Sequence, residues 1–170
     1  MKHVEHRPLR FALVGVGRIG TSHLEALSQV EGAALEAVVD PRRAAAEAVA
    51  EQKRVRWFED FENAELLDAI DAVIICTPPN LHYEIARHFL TSGKHVLCEK
   101  PLGVSVEEVE GLRPLVERSG KVLQVGHMKR FDPALEVADG VDIPSLPKGR
   151  SKNGTMSWLV GGAPVGSAKG

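Results

Sequence analysis

The chain has 170 residues and a mass of 18.4 kDa, enough for one domain whose core needs no disulfide or metal staple. Its 44% hydrophobic and 26% charged residues match a globular composition and exclude disordered, collagenous and fibrous classes. With 21 Lys and Arg against 23 Asp and Glu, the net charge of −2 leaves no basic footprint, so neither nucleic acid nor an anionic membrane surface is an expected partner.

The first ten residues, MKHVEHRPLR, are polar and of mixed charge. The apolar stretch behind them, FALVGVG, runs into a glycine loop without a small-residue cleavage site, so no signal peptide is expected. No apolar run reaches the roughly 20 residues of a membrane span. Cys76 and Cys98 each stand in an apolar run and read as reduced core thiols, with no disulfide framework and no zinc spacing. The expected location is the cytoplasm.

Short apolar runs at 11–14, 33–39, 55–58, 72–76, 95–98 and 122–125 alternate with helix-patterned segments. Several runs are nearly continuous in Val, Ile, Leu and Cys, as strands buried on both faces of a parallel sheet require. Ile19, Ala26, Leu27 and Val30 keep helical spacing, and so do Leu81, Ile85 and Phe89, ending at Gly93 just past a helix end. Ser105 with Glu108 forms a capping-box pattern ahead of Val109, Leu112 and Val116. Gly111 and Pro114 fall inside that last segment, where an interior proline costs about 3 kcal/mol, so a kink or early break is expected. The alternation predicts an α/β fold with right-handed crossovers and an open, doubly wound parallel sheet.

The composition changes near the end. Residues 132–170 carry 7 of the 16 glycines and 4 of the 10 prolines, and no period persists after Gly140. The expected organisation is one domain over 8–133 and an irregular tail over 134–170, in which 158–160 docks at most locally.

Gly15-Val16-Gly17-Arg18-Ile19-Gly20 follows the first apolar run directly and opens a helical pattern. In this context G-x-G-x-x-G is the phosphate turn of a Rossmann-type domain. Gly15 makes the tight turn, Gly17 lets the backbone approach a pyrophosphate, and Gly20 lets helix pack on strand. Arg18 and Ile19 then supply backbone N–H groups at the helix start. The same glycines also serve a tight strand-to-helix turn without a ligand. Asp40 ends the second run twenty residues beyond Gly20, where its carboxylate is placed to accept from adenosine ribose hydroxyls and to favour NAD. Ahead of Pro41 it also suits a helix N-cap. Arg42 and Arg43 leave NADP open, because a guanidinium there would receive a 2′-phosphate.

Two further segments are Cys76-Thr77-Pro78-Pro79-Asn80-Leu81-His82 and Gly93-Lys94-His95-Val96-Leu97-Cys98-Glu99-Lys100-Pro101-Leu102. With GVGRIG and the later Gly126-His127-Met128-Lys129-Arg130-Phe131-Asp132-Pro133, they resemble the glucose–fructose oxidoreductase/inositol dehydrogenase (Gfo/Idh/MocA) family over its N-terminal cofactor domain. The resemblance implies NAD(P)-dependent oxidation or reduction of a sugar or polyol hydroxyl. It implies that Thr77, Pro78 and Asn80 pass beside the cofactor, with His82 at the start of the next helix. Glu99, Lys100 and Pro101 match the family's Glu-Lys-Pro motif, whose lysine lies near the nicotinamide. An ammonium there would polarise the reacting oxygen or relay its proton, which makes Lys100 the expected catalytic residue. Arg130 and Phe131 stay outside the catalytic set. His82 and His88, six apart, sit on different helix faces, so no metal is expected.

The resemblance stops near Pro133, and the segments ADGVDIPSLPKGR and GGAPVGSAKG do not resemble the second domain that members of the family carry. Three readings stay open: an NAD(H)-binding oxidoreductase-family protein with little turnover alone, a regulatory module that senses NAD(H) or pairs with a separate substrate-domain chain, and a truncated remnant. A sugar or polyol is the expected substrate class, with assembly into homo-oligomers also open.

Overall fold

A computed structural model describes residues 7–127. In chain order the elements are β1 (Leu9–Val14), α1 (Arg18–Leu27), β2 (Ala33–Val39), α2 (Arg43–Lys53), β3 (Arg56–Phe58), α3 (Ala64–Ala69), β4 (Ala72–Ile75), α4 (His82–Thr91), β5 (His95–Glu99), α5 (Val106–Ser119) and β6 (Leu123–Gly126). The six strands form one parallel sheet in the order β3-β2-β1-β4-β5-β6. The order reverses between β1 and β4, so loops leaving these two strands diverge and open a crevice at their carboxyl ends. The expected doubly wound Rossmann sheet is present. The tail over 134–170, Arg130 and Phe131 lie outside the described residues.

The near-continuous apolar runs have a direct cause, because alternate residues of one strand enter two separate cores. Ala12, Val14, Val39, Val73, Ile75, Val96 and Cys98 face Leu66, Ile85, Phe89, Leu112 and Val116 of α3, α4 and α5. Leu13, Val38 and Ile74 face Leu24, Leu27 and Ala50 of α1 and α2 on the other side. Strand β2 carries an irregularity against β1, since Phe11 pairs with Leu35 but Ala12 with Ala37, leaving Glu36 as an extra residue.

Three expectations are corrected. Helix α1 ends at Leu27 and Val30 lies beyond it, exposed, where the chain turns through Gly32 at φ +78. Helix α5 runs through Pro114 without a break. Pro114 is on the solvent face, where water can take the carbonyl it leaves unpaired, while Gly111 faces the Tyr83 ring and lets α5 approach α4. The capping box is only half made: Ser105 Oγ accepts from the Glu108 N–H at 3.2 Å, but the Glu108 carboxylate accepts from Val104 rather than Ser105.

At the far edge, His95 Nδ1 accepts the backbone N–H of Val122 at 3.1 Å and holds the chain entering β6. An accepting Nδ1 carries no proton. Burial, helped by the nearby Lys121 charge and opposed by Asp71, lowers the His95 pKa below its ordinary 6.5. The unfolded chain therefore takes this proton first. The resulting stability is complete above about pH 6.5 and is lost as pH falls through the folded value. Urea midpoints are expected to decline from pH 7 to pH 5, and His95→Gln should flatten part of that decline. An equally steep decline in the variant would assign it to other groups.

Candidate functional site

The turn between β1 and α1 is built by steric necessity. Gly15 sits at φ +95, and a Cβ there would stand 2.7 Å from the Cys76 carbonyl oxygen and 3.0 Å from the Thr77 nitrogen. The two loops at the switch point thus touch backbone to backbone. A Cβ on Gly20 would collide with the Gly15 carbonyl oxygen and meet Leu13 Cδ2 at 3.2 Å, so helix and strand close here only through glycine. Gly17 differs, because a Cβ on it would meet nothing within 4 Å and would project into open space. Gly17 is also the N-cap of α1 and offers no side-chain acceptor to the first turn. The N–H groups of Arg18 and Ile19 therefore lie beside an uncrowded surface with the positive end of the helix dipole behind them. The exposed Arg18 and Ile19 side chains flank it.

Asp40 leaves the end of β2 buried, at 4% exposure, and is wired into this turn. Its Oδ2 accepts the N–H of Val16 at 3.0 Å, and its Oδ1 accepts the N–H of Arg42 at 2.9 Å. The Arg42 guanidinium adds Nε to Oδ1 and Nη2 to Oδ2, each at 2.9 Å. That guanidinium first, then the two backbone N–H groups, holds the Asp40 carboxyl below the usual carboxylate range against the opposing effect of burial. The expected N-cap role is corrected. Helix α2 starts at Arg43 with Arg42 as its N-cap, and Asp40 instead closes an Asx turn two residues back. Arg43 points elsewhere, to Glu47 at 2.9 Å and over the Trp57 ring at 5.3 Å.

The loop after β4 supplies Thr77, Pro78 and Asn80; Pro78 and Asn80 are exposed, Pro78 as the N-cap of a short 3-10 turn over Pro79–Leu81 and Asn80 within it. The Thr77 hydroxyl is buried and has no hydrogen-bond partner among the described residues. The other buried side-chain atom without a partner among the described residues is His88 Nε2 on α4. His82, 1% exposed, places Nδ1 2.6 Å from the Pro101 carbonyl oxygen and Nε2 2.8 Å from that of Thr77. Both ring nitrogens face backbone carbonyls, so His82 joins the loop after β4 to the loop after β5.

Glu99 ends β5 and is also buried, at 8% exposure. Its Oε1 lies 2.8 Å from His23 Nε2, and its Oε2 accepts the Lys100 N–H at 3.2 Å. The carboxyl fits because β6 carries Gly126, where a Cβ would come within 2.9 Å of Oε1. Lys100 is exposed at the strand exit, and the Lys100–Pro101 peptide bond is cis. The loops after β1, β2, β4 and β5 thus bring the predicted residues to one end of the sheet. Sequence reasoning missed His23. Its signal was spacing: it follows Gly20 by three residues on the helix face that also carries Leu24 and Leu27, and a polar residue facing a core needs a polar partner.

The sequence model described as "Oxidoreductase family, NAD-binding Rossmann fold" matches residues 9–127. Among curated relatives, scyllo-inositol 2-dehydrogenase (NAD(+)) of Bacillus subtilis is 40% identical over 133 residues, 77% of this chain and 39% of that one. Inositol 2-dehydrogenase of Rhizobium meliloti is 41% identical over 127 residues, 74% of this chain and 38% of that one. Among solved structures, scyllo-inositol dehydrogenase from Lactobacillus casei with bound NAD(H) and scyllo-inositol superposes with a TM-score of 0.72 at 29% identity, covering 79% of this chain and 40% of that one. The chain therefore spans about two fifths of the length of the relatives it matches.

Proposed function

The chain belongs to the Gfo/Idh/MocA oxidoreductase family with its NAD-binding Rossmann fold, and from that premise we propose that it is the cofactor half of a dehydrogenase acting on a sugar or polyol hydroxyl. The observation that carries this reading is the uncapped start of α1, open at Gly17 and flanked by the buried Asp40 and the orphaned Thr77 hydroxyl. The nicotinamide supplies the hydride acceptor or donor when bound.

In this reading the N–H groups of Arg18, Ile19 and Gly20 receive the pyrophosphate, and Asp40 accepts from the adenosine ribose. The Thr77 hydroxyl, with Pro78 and Asn80 beside it, lines the path toward the nicotinamide end. Glu99 and His82 fix the ends of the loops after β5 and β4. Lys100 then extends its ammonium toward the hydroxyl oxygen, where it donates a hydrogen bond or holds the proton. A substrate domain, in the same polypeptide or in a partner chain, would wall off the hydroxyl site. Burial pushes the Cys76 and Cys98 thiols up to about 12, which suits inert core thiols in the reducing cytoplasm.

Calorimetric titration of the folded chain with NADH is expected to give a micromolar dissociation constant. A chain that is folded by circular dichroism yet binds no NADH would reduce the glycine turn to a packing device. Asp40→Ala should weaken NADH by about tenfold and NADPH by less, because the lost acceptor serves the 2′-hydroxyl that NADPH lacks. Equal losses for both cofactors would remove the ribose role.

A further inference from the structure

We propose that Arg42 is a displaceable clip over the ribose acid and the residue that sets cofactor choice: NADH must push it off Asp40, whereas NADPH binds with it in place. The inference rests on the dinucleotide reading above and deepens it. Its basis is a count of hydrogen-bonding capacity. An ionised carboxylate has about four acceptor positions. Asp40 already receives four donors, the backbone N–H groups of Val16 and Arg42 and the Nε and Nη2 of Arg42, all at 2.9 to 3.0 Å. A ribose diol brings two further donors and finds no lone pair free.

Two of the four donors cannot leave. Val16 N–H belongs to the glycine turn, and Arg42 N–H belongs to the Asx turn that precedes α2. The guanidinium is the movable one, on a side chain that is 66% exposed against 5% for Asp40. NADH binding thus exchanges a bidentate charge-assisted pair for two ribose hydrogen bonds, so the clip works against the cofactor that Asp40 alone would favour.

A 2′-phosphate meets the opposite situation. It has no proton to offer Asp40 and would be repelled by a bare carboxylate. With Arg42 in place that charge is neutralised, and three of the five guanidinium N–H groups remain free for phosphate oxygens. Arg42 can then bridge acid and phosphate without releasing either. Arg43 is directed away from Asp40, to Glu47 at 2.9 Å and over the Trp57 ring at 5.3 Å.

The test is calorimetric titration of the full chain and its Arg42→Ala variant with NADH and NADPH, each checked for folding by circular dichroism. Arg42 is exposed at a helix start, so the variant should fold. The expected result is that NADPH affinity falls by about tenfold or more while NADH affinity is unchanged or a few-fold tighter. Parallel weakening of both cofactors would overturn the clip and leave Arg42 as a support for Asp40. Unchanged NADPH affinity in the variant, or a wild-type chain that binds NADH but not NADPH, would overturn it as well. A wild-type chain that binds neither cofactor would bring down the dinucleotide reading itself, and the clip with it.

Discussion

Replacing Gly20 by alanine is expected to cost about 3 kcal/mol of stability, the upper end of the usual range for overpacking, and to abolish measurable NADH binding. The added Cβ meets the Gly15 carbonyl oxygen, which is backbone and cannot rotate away. Nor can the turn retreat. Gly15 N–H is bonded to the Val39 carbonyl at 2.8 Å, and the loop after β4 is so near that a Cβ on Gly15 would stand 2.7 Å from the Cys76 carbonyl oxygen. Relief must come from α1 lifting off β1, which loosens Leu24 and Leu27 in their core. The roughly 0.4–1 kcal/mol that alanine returns by stiffening the unfolded chain is too small to offset this. Gly17→Ala is the matched control, since its Cβ meets nothing. That variant should keep its urea midpoint and still lose NADH affinity, because the methyl occupies the pyrophosphate approach. A Gly20→Ala chain within 1 kcal/mol of wild type in urea would refute the packing account.

The second large effect is expected at His23. His23→Leu should destabilise the chain by about 2 to 3 kcal/mol, because it strands a buried carboxyl that has only the Lys100 N–H left. Hydrophobic gain does not offset the loss, since the buried Glu99 carboxyl stays in place without its partner. The paired variant His23→Leu with Glu99→Leu should recover most of the loss, because two apolar side chains replace a satisfied polar pair. Urea melts of the four chains give the coupling directly. Additive losses would mean that the 2.8 Å contact contributes nothing and that His23 matters only for packing.

The strands and the glycine turn were legible because each is a local rule. Apolar runs of seven and five residues at 33–39 and 72–76 carry their burial on both faces in their own composition, and the positions of Gly15 and Gly20 follow from one turn. Whatever depends on distant partners was not legible. Asp40 carried an acidic signal, but the four donors that fill it come from the glycine turn and from a guanidinium folding back. His82 stood out as polar at a helix start, yet its two carbonyl partners lie 5 and 19 residues away. Pro114 misled for a different reason, since which face of α5 meets water is set by packing, and a proline on the wet face costs less than the interior rule states.

The extra residue in β2 has a consequence for how this acid is aimed. A strand is a two-stroke repeat, and inserting one residue reverses which side every later side chain meets. Leu35 and Ala37 both stand opposite consecutive residues of β1, so Glu36 resets the phase halfway along the strand. The lower half keeps time with the Gly32 turn, and the upper half brings Val39 level with Val14. With Glu36 bulged out, Asp40 follows Val39 to the level of Gly15, whereas a paired Glu36 would carry it one step further on and turn it to the opposite face. Deleting Glu36 would therefore leave Asp40 on its present side, because Leu35 and Ala37 already stand opposite consecutive residues of β1, whereas drawing Glu36 into the ladder would turn the carboxylate to the other side of the sheet. The side of the sheet on which the Asp40 carboxylate emerges is thus set four residues upstream of it.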